Sequence, residues 1–150
     1  MDQILSMSGR AFAAADEKSI PTGEMRSVED TPMDFRTPKL LDRDIDADYD
    51  ALKLQAGYDH CYEVFCNPCA ILSDPVSGRT MRVVTDCPGI QLYTANDLDV
   101  TGKNGAVYGN RSAVCLETQY YPDAVHHPQW AQPFVKAGER YHFETKYIFS

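Results

Sequence analysis

A chain of 150 residues, 43% hydrophobic and 24% charged, is one domain's worth and long enough to bury a core, which excludes general disorder. Its net charge of −8, with no local cluster of Lys and Arg, excludes a phosphate-backbone partner, so no nucleic acid is expected. No stretch approaches the ~20 apolar residues of a membrane helix, so no membrane role is expected. The segment after Met1 (Asp2-Gln3-Ile4-Leu5) has neither the basic start nor the apolar run of a secretory leader, and the expected location is the cytoplasm. Five cysteines, an odd number, argue for reduced thiols rather than a disulfide framework.

In chain order, Gln3–Ser8 already reads as a strand with no turn or cap before it. The chain is therefore expected to begin in mid-sheet, with an unpaired edge that favours self-association unless another strand covers it. Residues 42–50 hold five aspartates and read as a solvated loop or helix face. A calcium loop would need a glycine at its sixth position and a closing Glu, and neither is there. Asp48–Leu54 is a short helix candidate, ended by Gly57. Asp59-His60 follows Gly57-Tyr58 and reads as a turn, where an Asp more often caps backbone groups than binds a ligand.

Cys66-Asn67-Pro68-Cys69 has the spacing of a redox pair or half a zinc site. Only Cys61 lies nearby as a further ligand, and the pair sits between strand-like runs instead of opening a helix, so no metal site is expected. Ala70–Leu72 and Thr80–Thr85 flank a Pro/Gly turn and predict a β-hairpin. Gln91–Thr94 follows the Pro88-Gly89 breaker as another strand, and Ala113–Gln119 is a third. His126 and His127 are adjacent, point in different directions and make a poor metal pair. Tyr141–Phe149 alternates, with aromatic Tyr141, Phe143, Tyr147 and Phe149 on one side and His142, Glu144 and Lys146 on the other, predicting a half-buried antiparallel strand. Many short strands with little helix imply an all-β fold, an antiparallel β-sandwich, over residues 1–150.

Among residues capable of chemistry, Glu117 stands out. By the two-residue period it shares a face with Cys115 and Gln119, while Val114 and Leu116 take the other. A carboxylate in mid-strand is disfavoured unless that face is wet or lines a polar cleft, and a partly dry cleft suits it to general-base work. On local pattern alone, an exposed strand Glu remains the competing reading. Asp59 and Gln91 are unexceptional by the same standard. No Ser/His/Asp order and no phosphate-cradling glycine loop occur.

Seven stretches, taken together and in order, carry a resemblance. They are Ile20-Pro21-Thr22-Gly23-Glu24, Thr31-Pro32-Met33-Asp34-Phe35-Arg36, Gly57-Tyr58-Asp59-His60, Asp74-Pro75-Val76-Ser77-Gly78-Arg79, Pro88-Gly89-Ile90-Gln91-Leu92-Tyr93, Cys115-Leu116-Glu117-Thr118-Gln119 and Tyr121-Pro122-Asp123-Ala124-Val125. Over residues 3–149 the chain resembles the aldose 1-epimerase (galactose mutarotase) family. The resemblance implies a large β-sandwich, part of a supersandwich, whose cleft binds a hexopyranose such as galactose or glucose. It implies an isomerase that interconverts sugar anomers, with Glu117 as general base, Asp59 and Gln91 as sugar-binding residues, and neither metal nor organic cofactor.

The family's acid, a histidine in an N-H-x-Y-F-N-L-like stretch, is expected just upstream of residue 3, as are an arginine and a second histidine that help hold the sugar. None of His60, His126, His127 and His142 matches that motif. The chain is therefore expected to be the C-terminal portion of such a domain, lacking the N-terminal portion, which would be its natural partner. The alternatives are a non-catalytic sugar-binding or structural remnant of the same fold and, more remotely, a metal or redox module around Cys66 and Cys69.

Overall fold

A computed structural model describes all residues from Met1 to Ser150. Twelve strands form: β1 (Ile4–Met7), β2 (Ala11–Ala15), β3 (Pro21–Ser27), β4 (Lys39–Leu40), β5 (Asp59–Glu63), β6 (Ala70–Ser73), β7 (Thr80–Thr85), β8 (Gly89–Tyr93), β9 (Val100–Thr101), β10 (Val107–Tyr108), β11 (Cys115–Gln119) and β12 (Thr145–Phe149). The one α-helix, α1 (Asp50–Leu54), lies within the predicted stretch. Two five-stranded antiparallel sheets make the body, in the orders β12-β7-β6-β1-β4 and β11-β8-β5-β2-β3, and β9 and β10 form a separate small ribbon.

Alternation explains the layering. In the first sheet Leu5, Met7, Ala70 and Val83 point inward, and in the second Phe12, Tyr62, Ile90, Leu92 and Leu116 point inward. All belong to one buried cluster with Phe35, Tyr58 and Leu52, which makes the molecule a β-sandwich. The β6–β7 hairpin forms where predicted. Asp74 closes its turn by accepting hydrogen bonds from the Val76 and Ser77 amides, and Gly78 takes φ +73°.

Three expectations are corrected. β1 is not an unpaired edge, because β4 and β6 flank it on both sides. Asp59 and His60 are not in a turn but open β5, paired with Tyr93 and Leu92 of β8. The last strand starts only at Thr145 and is largely exposed, so it is not half-buried. Tyr147 and Phe149 lie on the core side of their sheet, opposite Val83 and Met81, yet they are 44% and 72% exposed. The facing sheet ends at β11, whose Leu116 carbonyl the Tyr147 hydroxyl reaches at 2.8 Å. Tyr141 and Phe143 leave the sheet and stack edge-on at 4.6 Å, with Phe143 also against Tyr120.

The acidic run is a loop up to Tyr49, with Asp50 opening α1, and four of its five aspartates are matched to cations. Asp44 binds Lys39 at 2.7 Å, Asp46 binds Arg111, Asp48 binds Lys53, and Asp50 receives a two-pronged contact from Arg26. Cys69 is a core residue whose thiol burial pushes up to about 11, while Cys66 is exposed, so the two do not form a reactive pair.

Candidate functional site

The outer face of the second sheet carries the site. Antiparallel pairing sets Cys61, Gln91 and Glu117 in one rung across β5, β8 and β11. Asp59, Tyr93 and Cys115 form the next rung. The residues between them (His60, Leu92 and Leu116) face the core, so the two-residue period turns the polar set outward together. Asp59, Gln91, Tyr93, Asp97, Glu117, Gln119 and Pro122 line a cleft of about 370 Å³. All three residues singled out from the sequence therefore meet in one place.

Gln91 donates from Nε2 to Asp59 Oδ1 at 2.6 Å. Only this orientation of the amide is compatible with a carboxylate neighbour, since Oε1 cannot donate. Gln91 Oε1 is thereby turned away from Asp59, and it is buried without a hydrogen-bond partner. Glu117 is exposed, so it looks onto an open cleft and not the partly dry one considered from sequence. The thiols on this face are poor nucleophiles. Burial pushes Cys61 up to about 12, and burial followed by the Glu117 charge raises Cys115.

Beside the cleft, residues 121–132 pack on the same face of the sheet. Trp130 and Ala124 cover Cys61 and Ala13, Tyr121 lies 5.1 Å from Trp130, and His127 lies 4.6 Å from it. His127 fills the space beside Gly23, whose φ of +87° and lack of a side chain admit the ring. Tyr121 donates to the Pro88 carbonyl at 3.2 Å and, by burial, is raised to about 12.

Sequence reasoning missed Tyr93 and Asp97 as lining residues. Tyr93 follows from Gln91 by the strand period. Asp97 does not, because its position depends on the turn after β8. That turn is set by Asn96, which is buried, accepts from Thr94 Oγ1 at 2.7 Å and donates to the carbonyls of Gln55 and Tyr58 at 2.8 and 3.1 Å.

No histidine lines the cleft. His60 turns into the core, edge-on to Phe12 at 5.3 Å, and burial lowers it from 6.5 to about 4. It is neutral in the folded state, whereas the unfolded chain binds its proton from 6.5 downward. Stability is thus complete above 6.5 and declines as pH falls toward 4, by about 3 kcal/mol in all. Urea unfolding of the protein across this window is expected to show one more proton-linked slope than His60→Leu. Equal slopes would contradict a buried neutral imidazole.

The fold is thus an antiparallel β-sandwich with polar and acidic side chains gathered on one open sheet face. The chain belongs to the aldose 1-epimerase family, whose model matches residues 2–148. It is 39% identical to galactose mutarotase of Mus musculus and 33% identical to aldose 1-epimerase of Haemophilus influenzae, each over 99% of this chain. It spans only 44% and 45% of their lengths. A solved aldose epimerase homologue from C. elegans superposes with a TM-score of 0.89 at 28% identity, covering 99% of this chain and 46% of that one. A galactose 1-epimerase structure from Lactobacillus acidophilus gives 0.77 at 25% identity. No helix is long and apolar enough to cross a membrane.

Proposed function

We propose that this chain carries the base-bearing part of an aldose 1-epimerase site, which interconverts the α and β anomers of a free hexose such as galactose or glucose. The observation that carries the reading is the convergence of Asp59, Gln91 and Glu117 on one cleft in a chain of this family. Glu117, without an ion-pair partner and open to the cleft, takes the proton of the anomeric hydroxyl. An acid protonates the ring oxygen, the C1–O5 bond breaks, and the open-chain aldehyde forms. Rotation about C1–C2 and closure on the opposite face, with both protons returned, gives the other anomer. Asp59 accepts a sugar hydroxyl, and the Gln91–Asp59 hydrogen bond fixes the carboxylate that receives it. One base and one acid are each worth about 10²–10⁴-fold.

The acid comes from polypeptide outside these 150 residues. That is supported by the absence of any imidazole from the cleft lining and by relatives about twice as long. It arrives beside β11, which is the free edge of its sheet and the strand that bears Glu117. The neighbouring free edge, β12, touches β11 through Tyr147 Oη to the Leu116 carbonyl at 2.8 Å. The exposed Tyr147 and Phe149 give the incoming segment an apolar seat. Five free thiols support a reducing, cytoplasmic setting.

Polarimetry of freshly dissolved α-D-galactose tests this. The chain alone is expected to leave the buffer rate unchanged, and the chain co-expressed with the other part of a full-length relative is expected to accelerate it. A buffer rate in that folded, co-purifying complex would overturn the proposal.

A further inference from the structure

Asp97 is a lining residue that the base-and-sugar-contact assignment does not use. The protein has 22 acidic side chains and many of them are neutralised locally, the aspartates at 44, 46, 48 and 50 among them. Asp59, Asp97 and Glu117 are different. None takes part in an ion pair. No lysine or arginine lines the cleft they share. The cleft therefore presents three carboxylates to whatever enters it, with a glutamine pair and no cation to offset them.

Asp97 is held in that role by a built turn, not by a loose loop. Buried Asn96 ties the turn to the Gln55 and Tyr58 carbonyls. The Ala95 carbonyl accepts from the Arg111 amide at 2.8 Å, and Ala95 itself takes φ +51°. The backbone of such a turn is fixed before a ligand arrives, which limits where the Asp97 carboxylate lies relative to the cleft.

Resting on the sugar-cleft reading above, we infer that Asp97 is a specificity determinant that tunes this cleft toward aldoses bearing a protonated amine and against aldoses bearing a carboxylate. Three uncompensated carboxylates attract an ammonium group and repel a uronate at short range, and both effects weaken as salt screens them. Neutral hexoses fall between. The cleft discriminates by charge, in addition to any hydroxyl stereochemistry read by Asp59 and Gln91.

The test is ligand-observed NMR binding of the full chain to D-galactosamine, D-galactose and D-galacturonate, at mildly acidic pH and low salt. The expected order is amine over neutral over carboxylate, with about a fivefold step at each stage, shrinking in high salt. Asp97→Asn is expected to compress the amine-to-carboxylate ratio severalfold. Because Asp97 is exposed on the surface, folding of this variant is readily checked by its unfolding midpoint. Binding of galactose with no charge ranking, or a ranking that Asp97→Asn leaves intact, overturns this inference alone. No binding of any of the three sugars removes the sugar cleft itself, and this inference with it.

Discussion

Glu117→Gln is expected to lower kcat for galactose mutarotation by about 10²–10⁴-fold in a preparation where the site is complete. The amide keeps the shape of the carboxylate and can still hydrogen-bond a sugar hydroxyl, but it cannot accept the anomeric proton. An interaction used mainly in the transition state is lost while ground-state binding survives, so KM is expected to change far less than kcat. Structure should be unaffected, since Glu117 is exposed and its strand is held by main-chain pairing to β8 and by buried Leu116. Retained turnover in Glu117→Gln would move the base elsewhere on the sheet.

Gly57→Ala is expected to destabilise the fold by about 3 kcal/mol or more. Gly57 has φ +146°, a conformation that costs a residue with a side chain roughly 1–3 kcal/mol. A Cβ there would also sit 2.3 Å from Asn96 Oδ1 and 3.1 Å from Thr94 Oγ1. Both neighbours are buried and bonded to each other, so neither can yield without losing hydrogen bonds. The glycine is thus required by the turn that carries Asp97, which explains its place directly before the Tyr58-Asp59-His60 run. The urea midpoint measures the loss. A midpoint within error of the parent protein would show that the Asn96 cluster rearranges freely.

The legible parts of the fold are those where local pattern and tertiary packing agree. The hairpin of β6 and β7, the strand after Pro88-Gly89 and the run ending at Gln119 combine alternation with strong turn residues. β2 escaped notice because Ala-Phe-Ala-Ala-Ala has no β-branched residue and only one large side chain. It is a strand because Phe12 packs into the core and because β3 and β5 flank it. β12 shows the opposite failure. Its alternation is real, but burial requires a layer opposite, and the facing sheet stops at β11. Asp59 was obscured by Gly57, whose positive φ reads as a turn although the chain enters β5 two residues later.

The site divides along the same line. Glu117 and its face were readable from the strand period, and Gln91 and Asp59 entered through family resemblance. What brings the three together is inter-strand register, which no single segment encodes. Asp97 was illegible because a turn's direction depends on Asn96 reaching two carbonyls about forty residues earlier in the chain.

The most direct test of the central claim, that the outer face of the second sheet is a sugar site, is amide mapping by NMR as D-galactose is titrated into the chain. Shifts are expected at Asp59–Cys61, Gly89–Tyr93, Asp97 and Cys115–Gln119, the strands and turn around the 370 Å³ cleft. Shifts confined to another surface, such as the small cleft of Ala14, Arg26 and Leu54 beside α1, would contradict it.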